Sequence, residues 1–124
     1  MNVVDSSAWL SYFADDENAQ KFAGVIEDVK KLIVPSITLT EVFKVVCRNS
    51  DENKALVVIA HMQQGQVIVL DEELSLAAAR YGLKHKLPLA DSIIYATAQK
   101  FDAIVWTQDA DFKNLEKVKY FSKL

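Results

Sequence analysis

Four short apolar runs, Asn2 to Val4, Leu32 to Val34, Val67 to Leu70 and Ala103 to Trp106, each stop at an acid, a proline or a threonine. Stretches with helical spacing separate them. Runs this short and this apolar read as buried strands rather than helices. Strands that alternate with helices imply an α/β domain around a mostly parallel sheet, because parallel neighbours need helical crossovers. Between the first two strands, Asp15, Asp16, Glu17 and Asn18 offer N-cap chemistry to a helix through Phe22, Val25 and Ile26 to about Val29. After Pro35 and Ser36, the positions Ile37, Leu39, Val42, Phe43, Val45 and Val46 predict a largely apolar helix. Asn49, Ser50 and Asp51 then break the chain before a helix through Leu56, Ile59 and Met62, with Gly65 as its expected C-cap. Asp71, Glu72 and Glu73 open a helix to Leu83, Pro88 opens another through Ile93, Ile94 and Ala98, and Val118 to Phe121 predicts a last strand. Ser6 and Ser7 read as a turn.

With 124 residues, the expected organisation is a single domain over 1–124, with short strands flanked by helices. Hydrophobic residues at 51% and only three Gly and two Pro support a packed core without linkers. Cys47 is the only cysteine, which excludes an intrachain disulfide and Cys-rich zinc sites and fits a reducing compartment. No apolar run approaches a membrane span, and the N-terminal residues lack a basic leader, so the cytoplasm is the expected location. A net charge of −3 offers no global attraction to nucleic acid, so such a role requires local cations or a metal.

Ligands of open α/β sheets bind beyond the carboxyl ends of strands, where this chain places Asp5, Ser36, Asp71, Thr107, Asp109 and Asp111. Residues of these types also serve as turn and cap residues, and for Asp71 that reading is preferred. Two further acids lie on apolar helix faces: Glu41 between Ile37 and Val45, and Asp91 among Leu87, Pro88, Ile94 and Tyr95. Each by itself is as compatible with a helix end or a cap as with function. If Asp5, Glu41, Asp91 and Asp109 converge, each pair of carboxylates about 4 Å apart repels by about 4 kcal/mol at an effective dielectric near 20. A divalent cation relieves that repulsion, and an all-oxygen ligand set selects Mg²⁺ or Mn²⁺ over zinc. Such a site suits phosphodiester hydrolysis.

These residues resemble the PIN-domain ribonucleases, and among them the VapC-type toxins of toxin–antitoxin pairs. The resemblance spans the chain and rests on Val-Val-Asp5-Ser-Ser-Ala-Trp, Ser36 five residues before Glu41, Leu-Ala-Asp91-Ser-Ile-Ile-Tyr-Ala-Thr-Ala and Val-Trp-Thr107-Gln-Asp109-Ala-Asp111-Phe. It implies a metal-dependent endoribonuclease in which Asp5, Glu41, Asp91 and Asp109 hold one or two Mg²⁺ or Mn²⁺ ions and an activated water cleaves RNA. It further implies that Ser7 and Thr107 orient Asp5 and the fourth acid, that Asp111 assists or substitutes, and that the partners are RNA, a cognate antitoxin and a second copy in a homodimer. Lys44 and Arg48, three and seven residues after Glu41, are candidate RNA contacts, with a solvated helix edge as the alternative. Lys84, His85 and Lys86 form another small basic cluster, while His61 and His85 lack metal-ligand spacing, and Trp9, Tyr12 and Phe13 fit a core or dimer contact.

Two other functions fit part of this pattern. A Mg²⁺-binding, receiver-like phosphoacceptor domain would use Asp71 and Thr107, but leaves Glu41 and Asp91 unexplained. A PIN-like module that binds partners without turnover would retain four acids at an electrostatic cost.

Overall fold

The computed structural model describes residues 1–123. Five strands are formed: β1 (Asn2–Val4), β2 (Leu32–Pro35), β3 (Gln66–Ile68), β4 (Ile104–Thr107) and β5 (Val118–Tyr120). Six helices join the first four: α1 (Ser6–Ala14) and α2 (Ala19–Glu27), α3 (Ser36–Asn49) and α4 (Glu52–Met62), and α5 (Glu72–His85) and α6 (Leu89–Lys100). Short 3-10 turns cover Val29–Lys31 and Ala110–Phe112. The sheet order is β3-β2-β1-β4-β5, and all four pairings are parallel. This is the α/β fold expected from the alternation of strands and helical pairs.

Adjacent residues of a strand point to opposite faces, and here both faces are covered. Val4, Leu32 and Val34 pack with Trp9, Phe22, Ile26, Val42 and Met62 on one side. Val3, Ile33 and Val105 pack with Ile94, Tyr95, Ala98 and Phe112 on the other. Helix α6 lies between the sheet and α5, where Leu74 and Ala78 meet Ile93 and Ala96, so every residue from Asp91 to Ala98 is buried. Gly82 permits that close approach, since a Cβ there would stand 2.7 Å from Ser92 Oγ.

Three local expectations are corrected. Ser6 and Ser7 begin a helix instead of a turn: Asp5, in extended conformation, caps α1 by accepting from the Ser7 N–H, and Asp15 ends it in the left-handed region at φ 52°. The next helix stops at Glu27, two residues short of Val29, and the chain tightens into a 3-10 turn. Gly65 is not a left-handed C-cap. No glycine has positive φ, and Gln63 caps α4. Gly65 is required instead by space, because a Cβ would lie 2.9 Å from Val34 Cγ2 and 3.0 Å from the Leu32 carbonyl oxygen. Among the described residues, no helix is long and apolar enough to cross a membrane.

Candidate active site

The chain runs outward from β1 to β2 and β3, then returns to place β4 on the other side of β1. Such a reversal opens a crevice at the carboxyl ends of the two central strands. Val4 pairs with Trp106, and the Asp5 N–H donates to the Trp106 carbonyl at 2.9 Å, so Asp5 and Thr107 leave the sheet side by side. Asp5 is only 3% exposed. Its Oδ2 accepts from Ser7 Oγ at 2.6 Å, Thr107 Oγ1 at 2.8 Å and the Ser7 N–H at 3.3 Å. Among the described residues, no donor meets Oδ1. Burial raises the Asp5 pKa, the Ser7 and Thr107 hydroxyls oppose that rise, and the Asp109 charge adds to it.

The Thr107 hydroxyl serves both acids, donating to Asp5 and accepting from the Asp109 N–H at 2.8 Å. Asp109 in turn caps the following 3-10 turn through Asp111 N–H at 2.9 Å, which folds Asp111 back toward the sheet edge. Asp91 enters from the first turn of α6, 8% exposed. Carboxylate oxygens of Asp91, Asp109 and Asp111 lie within 4.8 Å of one another. Burial, followed by the charges of Asp109, Asp5 and Asp111, pushes Asp91 up to about 8. Glu41 reaches the same cleft from α3, its Oε1 accepting from Ser6 Oγ at 2.6 Å. Asp5, Glu41, Asp91 and Asp109 all line one open cleft of 640 Å³.

None of these acids has a cationic partner among the described residues, where the ion pairs are Lys100 with Glu73 and Lys117 with Asp102. A cluster of unpaired carboxylates of which two, Asp5 and Asp91, are buried is costly without a cation. The donor set fits a hard divalent ion: all ligands are oxygens, Asp5 retains a free Oδ1, and the triad spacing brings three carboxylates to one point.

Ser7 and Thr107 stand where the sequence places them, against Asp5. Asp111 comes nearer to Asp91 and Asp109 than a supporting role requires. Lys44 and Arg48 do not line the acidic cleft; they border a separate hollow with Leu39, Phe43, Cys47 and Ile59. Asp71 caps α5 through the Leu74 N–H at 2.8 Å and is exposed outside the cleft, which separates the receiver-type phosphoacceptor from the other acids. His61 packs against Tyr12 and Phe13, His85 against Tyr81 and Tyr95, and Trp9 is fully buried in the core.

Sequence reasoning missed Ser6, Gln108 and Asn18. The Gln108 N–H donates to Ser7 Oγ at 3.0 Å and its Nε2 to the Ser7 carbonyl at 3.1 Å, while Asn18 Nδ2 donates to Gln108 Oε1 at 2.6 Å. The signal for Gln108 was its place between Thr107 and Asp109. Because one hydroxyl links Asp5 to the Asp109 backbone, Thr107→Val is expected to release both acids from their fixed orientation. It is also expected to destabilise the fold by about 1–3 kcal/mol, read by denaturant unfolding, because the half-buried Asp109 N–H loses its acceptor and the buried Asp5 carboxylate loses one of its three donors.

The comparisons agree with this architecture. No curated protein sequence matches the chain. A toxin–antitoxin complex from Klebsiella pneumoniae superposes with a TM-score of 0.81 at 19% identity, covering 99% of this chain and 100% of that one. A VapC toxin of Mycobacterium tuberculosis described as cleaving the sarcin–ricin loop gives 0.78 at 17% identity, covering 95% and 97%. FitAcB from Neisseria gonorrhoeae gives 0.70 at 20% identity, covering 98% and 97%. At these identities the likeness establishes a shared fold. The PIN domain profile matches residues 3–118, nearly the whole chain, and the chain belongs to the PIN domain family.

Proposed function

We propose that this chain is a Mg²⁺- or Mn²⁺-dependent endoribonuclease, the toxin of a VapBC-type pair, with residues 1–124 forming one nuclease domain. The observation that carries the proposal is the gathering of Asp5, Glu41, Asp91 and Asp109, from four separate stretches of chain, around one cleft without a cationic partner, with a carboxylate oxygen of Asp111 within 4.8 Å of those of Asp91 and Asp109. Asp5, Asp91 and Asp109, with Asp111 beside them, are the residues that would hold the ion, and Glu41 lines the same cleft. When bound, the cation supplies neutralising charge, so that a polyanion approaches these acids, and Lewis acidity that activates water at neutral pH.

The protein's own contribution is positional. Ser7 and Thr107 hold Asp5 through Oδ2 and leave Oδ1 to the ligand. Ser6 fixes Glu41 through Oε1, so that its second oxygen would be available to order a water in the cleft. The open cleft admits an extended strand. Solved structures of similar fold that are toxin–antitoxin complexes, together with a toxin described as cleaving the sarcin–ricin loop, support the RNA substrate and a cognate antitoxin as partners. The homodimer and the cytoplasmic location belong to the same reading.

The test is cleavage of a labelled RNA with Mg²⁺, Mn²⁺ or EDTA, for wild type and Asp5→Asn. Cleavage is expected with either metal, with none in EDTA, and with at least about a tenfold reduction in the variant. Equal cleavage under all conditions by both proteins would reject the mechanism.

A further inference from the structure

Among the described residues, the acidic cleft has a single basic residue along its walls. Lys123 lines it together with Asp5, Glu41, Asp91 and Asp109. Its placement follows from how the segment after β5 is fastened. The Phe121 N–H donates to the Thr107 carbonyl at 2.9 Å, directly behind the acids. The Phe121 ring stacks on Trp106 with centroids 6.1 Å apart and meets Phe22 edge-on at 5.6 Å. Lys21 Nζ lies 5.3 Å from the centre of the same ring. The Ser122 carbonyl accepts from Asn18 Nδ2 at 3.0 Å, and that amide group also bonds Gln108, the residue that braces Ser7. Asn18 is 2% exposed, so the donor side of this tie is buried. Two consecutive residues are therefore anchored to the network that orients Asp5, and the next residue projects a cation at the cleft.

Lys123 has no carboxylate within ion-pair distance among the described residues. It is exposed, so it does not neutralise the buried acids. An RNA strand crossing the cleft brings a phosphate every nucleotide, and only the scissile one meets the metal. A flanking phosphate needs a cation of its own at the rim. Lys44 and Arg48 border another hollow and do not supply it. We infer that Lys123 is the phosphate anchor of this cleft, binding the RNA backbone beside the scissile bond, held in register by Asn18 and Phe121. This inference rests on the nuclease reading and adds to it the residue that positions the substrate.

The experiment measures KM and kcat for a short single-stranded RNA in Mn²⁺ over a series of salt concentrations, for wild type, Lys123→Ala, Lys123→Arg and the Lys44→Ala, Arg48→Ala double variant. Lys123→Ala is expected to raise KM about fivefold, with kcat within about twofold. The slope of log KM against log salt should fall by about 0.7, the value for one phosphate contact on a single strand. Lys123→Arg should restore both, and the double variant should match wild type. An unmoved KM and salt slope in Lys123→Ala overturn the inference alone, as does a shift carried by Lys44 and Arg48 in its place. A wild-type chain that neither cleaves nor binds RNA overturns the nuclease reading and this inference with it.

Discussion

Asp91→Asn is expected to lower RNA cleavage in saturating Mn²⁺ by about 10²- to 10³-fold while raising the thermal stability of the metal-free protein at pH 8 and above. The two effects have opposite sign because, in the proposed function, Asp91 would be both a ligand and a source of repulsion. It is nearly buried and close to Asp109 and Asp111, with Asp5 adding to the field. The amide keeps the shape of the carboxyl group in the first turn of α6 and removes one charge, so the helix and its packing are retained. A merely structural Asp91 would show lost stability together with lost activity. Single-turnover cleavage and thermal melts in EDTA separate the two outcomes.

The second large effect is a pH dependence that metal reverses. Asp91 stands at about 8 in the folded chain against an ordinary value of 3.8, so the folded state holds a proton that the unfolded state has already released between those values. Its contribution to stability is full below the ordinary carboxylate range and is lost as pH rises through about 8. Asp5 is shifted in the same direction by burial. Metal-free protein is therefore expected to melt at a lower temperature at pH 8 than at pH 5. In the proposed function Mn²⁺ would compete with these protons for the ionised acids, so its stabilising effect is expected to grow over the same range. At 100 times Kd the gain is about 2.7 kcal/mol, about 10 °C in Tm for a chain of this length. Differential scanning fluorimetry at the two pH values checks this. A Mn²⁺ shift of equal size at both would contradict it.

Much of this was legible in the sequence, for identifiable reasons. Strands of a doubly covered parallel sheet are apolar on both faces, so Asn2 to Val4 and Leu32 to Val34 stood out as continuous runs, and the helical pairs between them settled the sheet's direction. Asp91 announced itself because it shares a helix face with Ile94 and Tyr95, and that whole stretch is buried. Helix α1 was hidden by its own start. Asp5, Ser6 and Ser7 suit a turn as well as a cap, and only the Ser6 bond to Glu41 and the Ser7 bond to Asp5 show what they do. Lys123 escaped because it is an exposed residue outside regular elements, and its position depends on the tertiary bond that Asn18 makes to Ser122. For Lys44 and Arg48, helical spacing from Glu41 was an insufficient guide. The cleft side of α3 is held by Glu41 and Val45, and seven residues carry Arg48 about 10 Å farther along the axis.

The most direct measurement is calorimetric titration of Mn²⁺ at pH 7 into metal-free wild type and Asp91→Asn, in two buffers of different ionisation enthalpy. If the clustered carboxylates hold the ion, wild type binds Mn²⁺ with release of close to one proton, and the variant binds at least about tenfold more weakly with that proton release gone. Binding of equal strength in both proteins with no proton released, or no binding by wild type, would contradict a metal centre built from these acids.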